Sequence, residues 1–351
     1  MAVSKISSSS DRLALVTGGA GFIGSHVVRA LVGDGWRVRV MCLPGDDARN
    51  LAGLEVERFV GDVTDLESVR RAVTGARRVF HLAALYALWV RDPSRLHAVN
   101  VDGTRNVLRA AREAGVERVV HTSSIARFGG QGADHRATEA SPFALGSTGD
   151  LYSQSKYVSH ELAVSAAQDG QDVVIVAPTA PIGPGDTGPT PTGRLLVDTL
   201  TMPIAVVADT ASNFGDVRDI AKGHLLAADK SIRGESYLLG NEDWTMAEVS
   251  AICLAIVGIR RPIVRAPMLA LDVVAKLAKA HADHVTHRAP MITPATIEIA
   301  RLGLRADCSR AFRELGLPKR PIEESLRDAL RWFGREGYVR DATLAATLAA
   351  L

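Results

Sequence analysis

The sequence predicts an α/β protein: a doubly wound parallel sheet with a smaller, mainly helical C-terminal lobe. Three observations predict it. From residue 13 to residue 178, short apolar runs alternate with amphipathic segments of helical period, the pattern of a parallel sheet covered on both faces. A glycine-rich turn, T-G-G-A-G-F-I-G-S-H (17–26), joins the first apolar run to the first helical segment. After Pro178 the texture changes to a stretch rich in proline and glycine, followed mostly by helical patterns.

Each apolar run is too short to be told from a buried helix turn by period alone; the regular alternation decides. L-A-L-V-T (13–17) is the first strand, and residues 24–32 carry the first helix. W-R-V-R-V-M-C (36–42) is the second strand, and V-E-R-F-V-G-D-V (56–63) the third, followed by a helix over 65–74. R-R-V-F-H-L-A-A (77–84) is the fourth, after which 93–115 reads as one long helix with Pro93 in its first turn. V-E-R-V-V-H-T-S-S (116–124) is the fifth strand, 152–169 a helix, and D-V-V-I-V-A-P (172–178) the sixth strand. Residues 178–193 read as a loop with little regular structure: a linker, or a binding loop at the carboxyl edge of the sheet. Beyond it come a helix near 193–200, a strand near 204–208 and a helix near 219–229. Residues 236–340 hold a short strand, S-Y-L-L-G, and several helices.

Bulk properties exclude several classes. Apolar residues make up 47% and charged residues 23%, with a net charge of +2, so no basic field points to a nucleic acid. Cys42, Cys253 and Cys308 lie far apart without a C-x-x-C pair, so neither a metal site nor a disulfide framework is expected. The start lacks an apolar secretory core, and no apolar run reaches the length of a membrane span. A cytoplasmic location follows as the expectation, with residues 1–10 a serine-rich disordered tail.

A glycine turn between a strand and a helix is the context that a dinucleotide fingerprint needs. Gly18 permits the tight turn, Gly21 lets the backbone approach a pyrophosphate, and Gly24 lets the helix pack closely. Phe22 and Ile23 open the helix, whose N-terminus favours negative charge. After the third strand, Asp62 is placed to accept the adenine amino group, with Val63 beside it; a helix N-cap is the alternative role. The end of the second strand carries Cys42 and Leu43, neither the acid that holds a ribose hydroxyl nor an arginine for a 2′-phosphate. Arg49, Asp46 or Asp47 can substitute from the next loop; with no basic residue directly at the site, NAD is preferred to NADP.

Y-S-Q-S-K places Tyr152 and Lys156 on one helix face. A nearby ammonium is expected to lower the phenol pKa, and such a tyrosine can take a proton from an alcohol or give one to a carbonyl. T-S-S (122–124) ends the fifth strand, where a hydroxyl can bond the reacting oxygen or simply cap a turn.

Together T-G-G-A-G-F-I-G, G-D-V, H-L-A-A, N-V-D-G-T, T-S-S and Y-S-Q-S-K, over about residues 13–333, resemble an extended short-chain dehydrogenase/reductase of the NAD-dependent epimerase/dehydratase superfamily. Within it, R-D-P-S-R-L-H-A-V-N-V-D-G-T-R-N and P-I-G-P-G-D-T-G-P-T-P-T-G-R are similar to the hopanoid-associated sugar epimerase group, close to dihydroflavonol reductases and sterol dehydrogenases. The Ala/Leu-rich end, 341–351, reads as a helix or a loose tail. The resemblance implies a Rossmann-type nucleotide domain over 11–180 and a substrate lobe over 181–340, part of 204–230 returning to the sheet. It implies a triad of Ser124, Tyr152 and Lys156, with Ser124 preferred to Ser123 by its spacing to Gly129. Asn100 would have a structural or relay role. His81, Leu82, Ala83 and Ala84 would lie beside the cofactor, and residues 178–182, Pro178 and Ala180 among them, beside the nicotinamide, while Tyr86, Ser123, Thr190 and Arg194 would face a small-molecule substrate. A homodimer through the helices at 93–115 and 152–169 is likewise implied. The chain departs from sugar dehydratases in having S-S-I (123–125) where they carry T-D-E.

Two activities fit. A reductase or dehydrogenase moves a hydride between the nicotinamide and a secondary alcohol or ketone. An epimerase returns the hydride to the other face of a transient ketone, and grips a nucleotide diphosphate, usually with arginines such as Arg194, Arg218 or Arg301. The apolar stretch at 262–279 favours a lipophilic substrate for the first activity, although a core helix explains it equally.

Overall fold

The computed structural model describes residues 12–86, 89–90, 92–287, 290 and 292–351. The expected tail over 1–10 lies outside the described residues. The first half alternates as anticipated: β1 (Leu13–Thr17), α1 (Phe22–Gly33), β2 (Arg37–Cys42), β3 (Glu57–Val60), α2 (Leu66–Val73) and β4 (Arg78–His81). α3 (Pro93–His97), α4 (Gly103–Glu113), β5 (Arg118–Thr122), α5 (Leu151–Gln168) and β6 (Val173–Pro178) follow. The long helix expected over 93–115 is interrupted: residues 98–102 form a π-helical turn between α3 and α4.

The second half holds β7 (Ala180–Ile182), α6 (Pro191–Thr201), β8 (Ala205–Ala208), β9 (Ala211–Asp216), α7 (Val217–Lys230) and β10 (Ser236–Leu239). After them come β11 (Glu242–Thr245), α8 (Met246–Val257), β12 (Ile263–Ala266), α9 (Met268–His281), α10 (Pro294–Leu302), α11 (Ile322–Arg335) and α12 (Ala342–Ala349).

Among the described residues the main sheet runs β10-β6-β5-β4-β1-β2-β3, and every pair in it is parallel. One face is closed by α1 and α7 through Val27, Val28, Leu31, Ile220 and Leu225. The other is closed by α2, α4 and α5 through Val69, Val107, Leu108 and Ala163. The order reverses between β1 and β4, which opens a crevice at the carboxyl ends of these strands.

Two further segments differ from the sequence reading, and a third is decided between its two alternatives. S-Y-L-L, expected in the smaller lobe, is the edge strand β10, hydrogen-bonded in parallel to β6. The stretch over 178–193 is not all loop: β7 pairs with β9, and α6 starts at Pro191, where a fixed φ suits a first helical position. Residues 341–351, read as a helix or a loose tail, are the helix: they contain α12, whose Leu348 is fully buried with Leu326, Leu330 and Phe333 of α11. That cluster joins α6, α8, α11 and α12 into a second core beside the sheet.

Candidate active site

A cavity of about 930 Å³ opens at the crevice. At one end its wall is the glycine turn, with Gly18, Gly21, Phe22, Ile23 and Gly24. Gly18 has φ 69°, and a Cβ there would stand 2.7 Å from the Ala83 amide nitrogen. A Cβ on Gly24 would stand 2.1 Å from the Gly18 carbonyl oxygen, so the turn itself requires this glycine. Gly21 is the N-cap of α1 and offers no side-chain acceptor, which leaves the first-turn amides of the helix free at the cavity floor. A Cβ on Gly21 would meet only the Gly18 oxygen, at 3.3 Å. This cradle fits a pyrophosphate: bare amides, a helix N-terminus, and room that a side chain would fill.

Further along, the wall is made of Met41, Leu43, Asp46, Asp47, Asp62 and Val63. Asp62 is not the cap of α2; that role falls to Asp65, which accepts from the Glu67 amide. Asp62 accepts from the Thr64 amide at 2.8 Å and stays on the cavity wall. Asp46 accepts from the Leu43 amide at 2.8 Å. Arg49 pairs with Asp47 at 2.7 Å and does not reach the wall. Burial pushes the Cys42 thiol up, and its Sγ lies 3.8 Å from the Val40 carbonyl oxygen.

The chemistry-bearing groups meet in the middle of the cavity. Ser124 follows β5; Tyr152 and Lys156 ride the first turns of α5, which buried Asp150 starts by accepting from the Ser153 amide at 2.8 Å. Ser124 caps the short turn after β5, accepting from the Ala126 amide at 3.2 Å, and its hydroxyl stands close enough to the Tyr152 phenol to favour its ionised form. Lys156 Nζ donates to the Thr122 carbonyl at 2.7 Å. Burial pushes the Tyr152 phenol up to about 12, opposed by the Ser124 hydroxyl, and pushes Lys156 down to about 8. The lowered phenol pKa expected from a neighbouring ammonium is therefore not produced by the protein alone: loss of water around the ring outweighs the nearby polar groups.

A buried chain of hydrogen bonds supports this centre from below. Thr17 Oγ1 bonds His81 Nδ1 at 2.8 Å, and His81 Nε2 bonds Thr104 Oγ1 at 3.0 Å. The Thr104 hydroxyl donates to the Asn100 carbonyl, and Asn100 Nδ2 donates to Ser155 Oγ at 2.9 Å. Ser155 donates to the Tyr152 carbonyl at 2.7 Å. Asn100 sits in the π-helical turn and also pairs with the backbone of Leu85, accepting at 2.7 Å and donating at 3.1 Å. It thus clamps the 82–86 segment of the wall to α5, and the widened turn is what aims it there. Of the histidines in and around this layer the sequence singled out only His81, by resemblance, and it lies in the layer below the cavity wall rather than on it. His121 is buried with both ring nitrogens unpartnered.

These features converge with the comparison to known proteins. The model of the NAD dependent epimerase/dehydratase family matches residues 14–240. The chain belongs to this family. It is 37% identical over 329 residues to a putative dihydroflavonol 4-reductase of Synechocystis sp., covering 93% of this chain and 95% of the relative. It is 36% identical over 328 residues to the sterol demethylase protein B of Methylococcus capsulatus, covering 93% and 99%. The crystal structure of gox2253 superposes with a TM-score of 0.82 at 34% identity, over 93% of this chain and 99% of that one. The family member described here is an NAD(P)-dependent oxidoreductase or epimerase with a Rossmann-type fold.

Of the other residues singled out in the sequence, Leu82, Ala83, Ala84, Pro178 and Ala180 line the cavity. Tyr86 lines it too, its ring edge-on to Tyr152 at 4.8 Å between centroids. Ser123 reaches the wall, but its hydroxyl is turned to His160 Nδ1 at 3.0 Å. Thr190 is on the wall with its hydroxyl held by Asp186 at 2.7 Å as it caps α6. Arg194 is exposed on α6 and off the wall. Arg218 is held by Asp216 and Asp328, each at 2.7 Å, and Arg301 by Glu298 and by Asp272 at 3.3 Å. None of these three arginines reaches the cavity; among its described lining residues the cations are Arg95 and Lys156. The far wall comes instead from Leu145, Met246, Ile299, Ala300 and Leu304, which the sequence reading missed. Residues 262–279 are absent from this wall, contrary to their expected part in a lipophilic site.

Proposed function

We propose that the enzyme interconverts an apolar ketone and its secondary alcohol with NAD(H), Tyr152 carrying the proton. The observation that carries this reading is the far wall: aliphatic side chains from α8 and α10, with Arg194, Arg218 and Arg301 all engaged or exposed elsewhere. A diphosphate brought there would lose its hydration and find, among the described lining residues, only Arg95 and Lys156 as cations, with Lys156 already bonded to the Thr122 carbonyl. An apolar ring system loses nothing and gains the transfer free energy of its buried surface.

When bound, the nicotinamide supplies or takes up the hydride. In reduction, Tyr152 delivers its phenolic proton to the carbonyl oxygen, and Ser124 donates a hydrogen bond to the same oxygen. A phenol held up near 12 is fully protonated at neutral pH, and so is ready to act as the acid. Lys156, pushed down to about 8, still carries its charge at pH 7 and stabilises the phenolate left behind. Tyr86, edge-on to Tyr152, and the rest of the 82–86 segment form the wall beside the reacting groups. Asp46 and Asp47 beside the ribose position would repel a 2′-phosphate, which supports NAD over NADP. A homodimer is part of the proposal; Leu151 and Val158, exposed on α5, offer apolar surface for it.

The test is to purify the protein, measure nucleotide released on denaturation, and assay NADH and NADPH oxidation with polycyclic and aryl ketones beside nucleotide sugars. Turnover of an apolar ketone by protein that arrives empty supports the reading. Stoichiometric retained NAD with conversion of a nucleotide sugar overturns it in favour of epimerisation.

A further inference from the structure

The stretch 262–279 left unexplained by the active site has an unusual surface. Leu269, Val273, Val274 and Leu277 on α9, with Val285 just beyond it, are between 52% and 80% exposed. The helix packs inward through Ala275, and its outer face is aliphatic along its whole length. Ahead of it, Val206 and Val264, register partners across β8 and β12, are also exposed. An apolar patch of this extent on a folded chain marks an interaction surface.

Charge indicates the partner. Between residues 260 and 287 lie five lysines and arginines against two aspartates, in a chain whose net charge is only +2. Arg260 and Lys276 are exposed and make no ion pair among the described residues; Arg265 and Lys279 flank the same face but are paired with Asp209 and Asp283, so the first two carry the free charge. An aliphatic face edged by cations is the pattern of a helix lying in a bilayer interface. A second copy, whose matching face carries the same excess of cations, is a poorer electrostatic match than an anionic surface.

The face also adjoins the active site. α10, whose Thr296, Ile299 and Ala300 line the cavity, is tied to α9 by the Arg301–Asp272 pair at 3.3 Å. The loop that carries Tyr86 is pinned to the end of α9 by Trp89 Nε1 donating to Asp283 at 3.1 Å. We propose that α9 docks the enzyme on an anionic phospholipid surface, its aliphatic face in the headgroup boundary and its cations on the lipid phosphates. Among the described residues no helix is long and apolar enough to cross a membrane, so the docking is peripheral.

The test is co-sedimentation of the full chain with vesicles, which needs no knowledge of the substrate and so stands or falls apart from the proposed reaction. Vesicles of equimolar phosphatidylcholine and phosphatidylglycerol should pellet the protein, pure phosphatidylcholine much less, and added salt should weaken the first. Combining Leu269→Glu, Val273→Glu and Leu277→Glu should lower the partition coefficient about tenfold or more, with melting temperature and NADH affinity unchanged. Lys276→Glu with Arg260→Glu should erase only the preference for the anionic vesicle. Failure to pellet with phosphatidylglycerol, or equal pelleting of the triple variant, overturns the proposal. So does a triple variant that turns an oligomer into a monomer while the wild type ignores vesicles, since the face would then belong to a second copy.

Discussion

Lys156 is where chemistry and stability pull in opposite directions. Its side chain is buried, and its one hydrogen bond goes to the Thr122 carbonyl. Holding the amine near 8 instead of its ordinary 10.5 disfavours the ammonium by about 3 kcal/mol. Below pH 8 both folded and unfolded chains carry this proton, and the cost is present in full. Between 8 and 10.5 the unfolded chain still binds it and the folded chain does not, so stability rises with pH across that window. Lys156→Met removes the charge and leaves the Thr122 carbonyl without this donor, at a cost of about 1 kcal/mol. The variant should therefore be more stable than wild type by about 2 kcal/mol at pH 7, while losing turnover. The wild type should then gain on it by about 2 kcal/mol between pH 7 and pH 9.5. Urea unfolding of both cofactor-free proteins at the two pH values checks this. A variant less stable than wild type at pH 7, or a gap that ignores pH, would refute the reasoning.

Other outcomes follow from the same geometry. Gly24→Ala places a Cβ 2.1 Å from the Gly18 oxygen and should lower the melting temperature and abolish NADH binding, whereas Gly21→Ala meets only a 3.3 Å contact and should fold normally with weakened NADH affinity; calorimetry and fluorescence titration separate the two. Burial holds His81 and His160 down to about 3, His224 to about 4, and His121 well below its ordinary value. As pH falls below 6.5 the unfolded chain takes up protons that these four refuse in the fold, so stability should drop between pH 6 and 5 with a slope of up to about 5 kcal/mol per pH unit, read from urea midpoints. Arg194→Ala, off the cavity wall, should leave kcat/KM within about twofold; a large loss would place a substrate group where the structure shows solvent.

The nucleotide half was legible because its signals are local. Apolar strands, a glycine turn and a helix start are set by neighbours in sequence, and β1, β2 and α1 fall within two residues of expectation. Tyr152 and Lys156 share a helix face, so their spacing alone places them together. Partners distant in sequence were not legible. Nothing within S-Y-L-L says that it pairs with β6 rather than with the smaller lobe. The π-helical turn at Asn100 answers a demand from Leu85 and Ser155, which no helical period records. The far wall draws Leu145, Met246, Ile299 and Leu304 from separate elements, and each alone resembles any core residue. The apolar stretch 262–279 reads as a lipophilic wall or a core helix, whereas it forms a strand and a helix with an exposed aliphatic face; composition cannot tell a face turned to a core from one turned to water. The phenol pKa failed for a different reason: the charge partner was read and the desolvation was not.

Proton transfer by Tyr152 is most directly tested by Tyr152→Phe, assayed with an apolar ketone that the wild type reduces and titrated with NADH. The account predicts a loss of about 10²- to 10⁴-fold in kcat/KM with NADH affinity within about twofold of wild type. Turnover within about tenfold of wild type would contradict it.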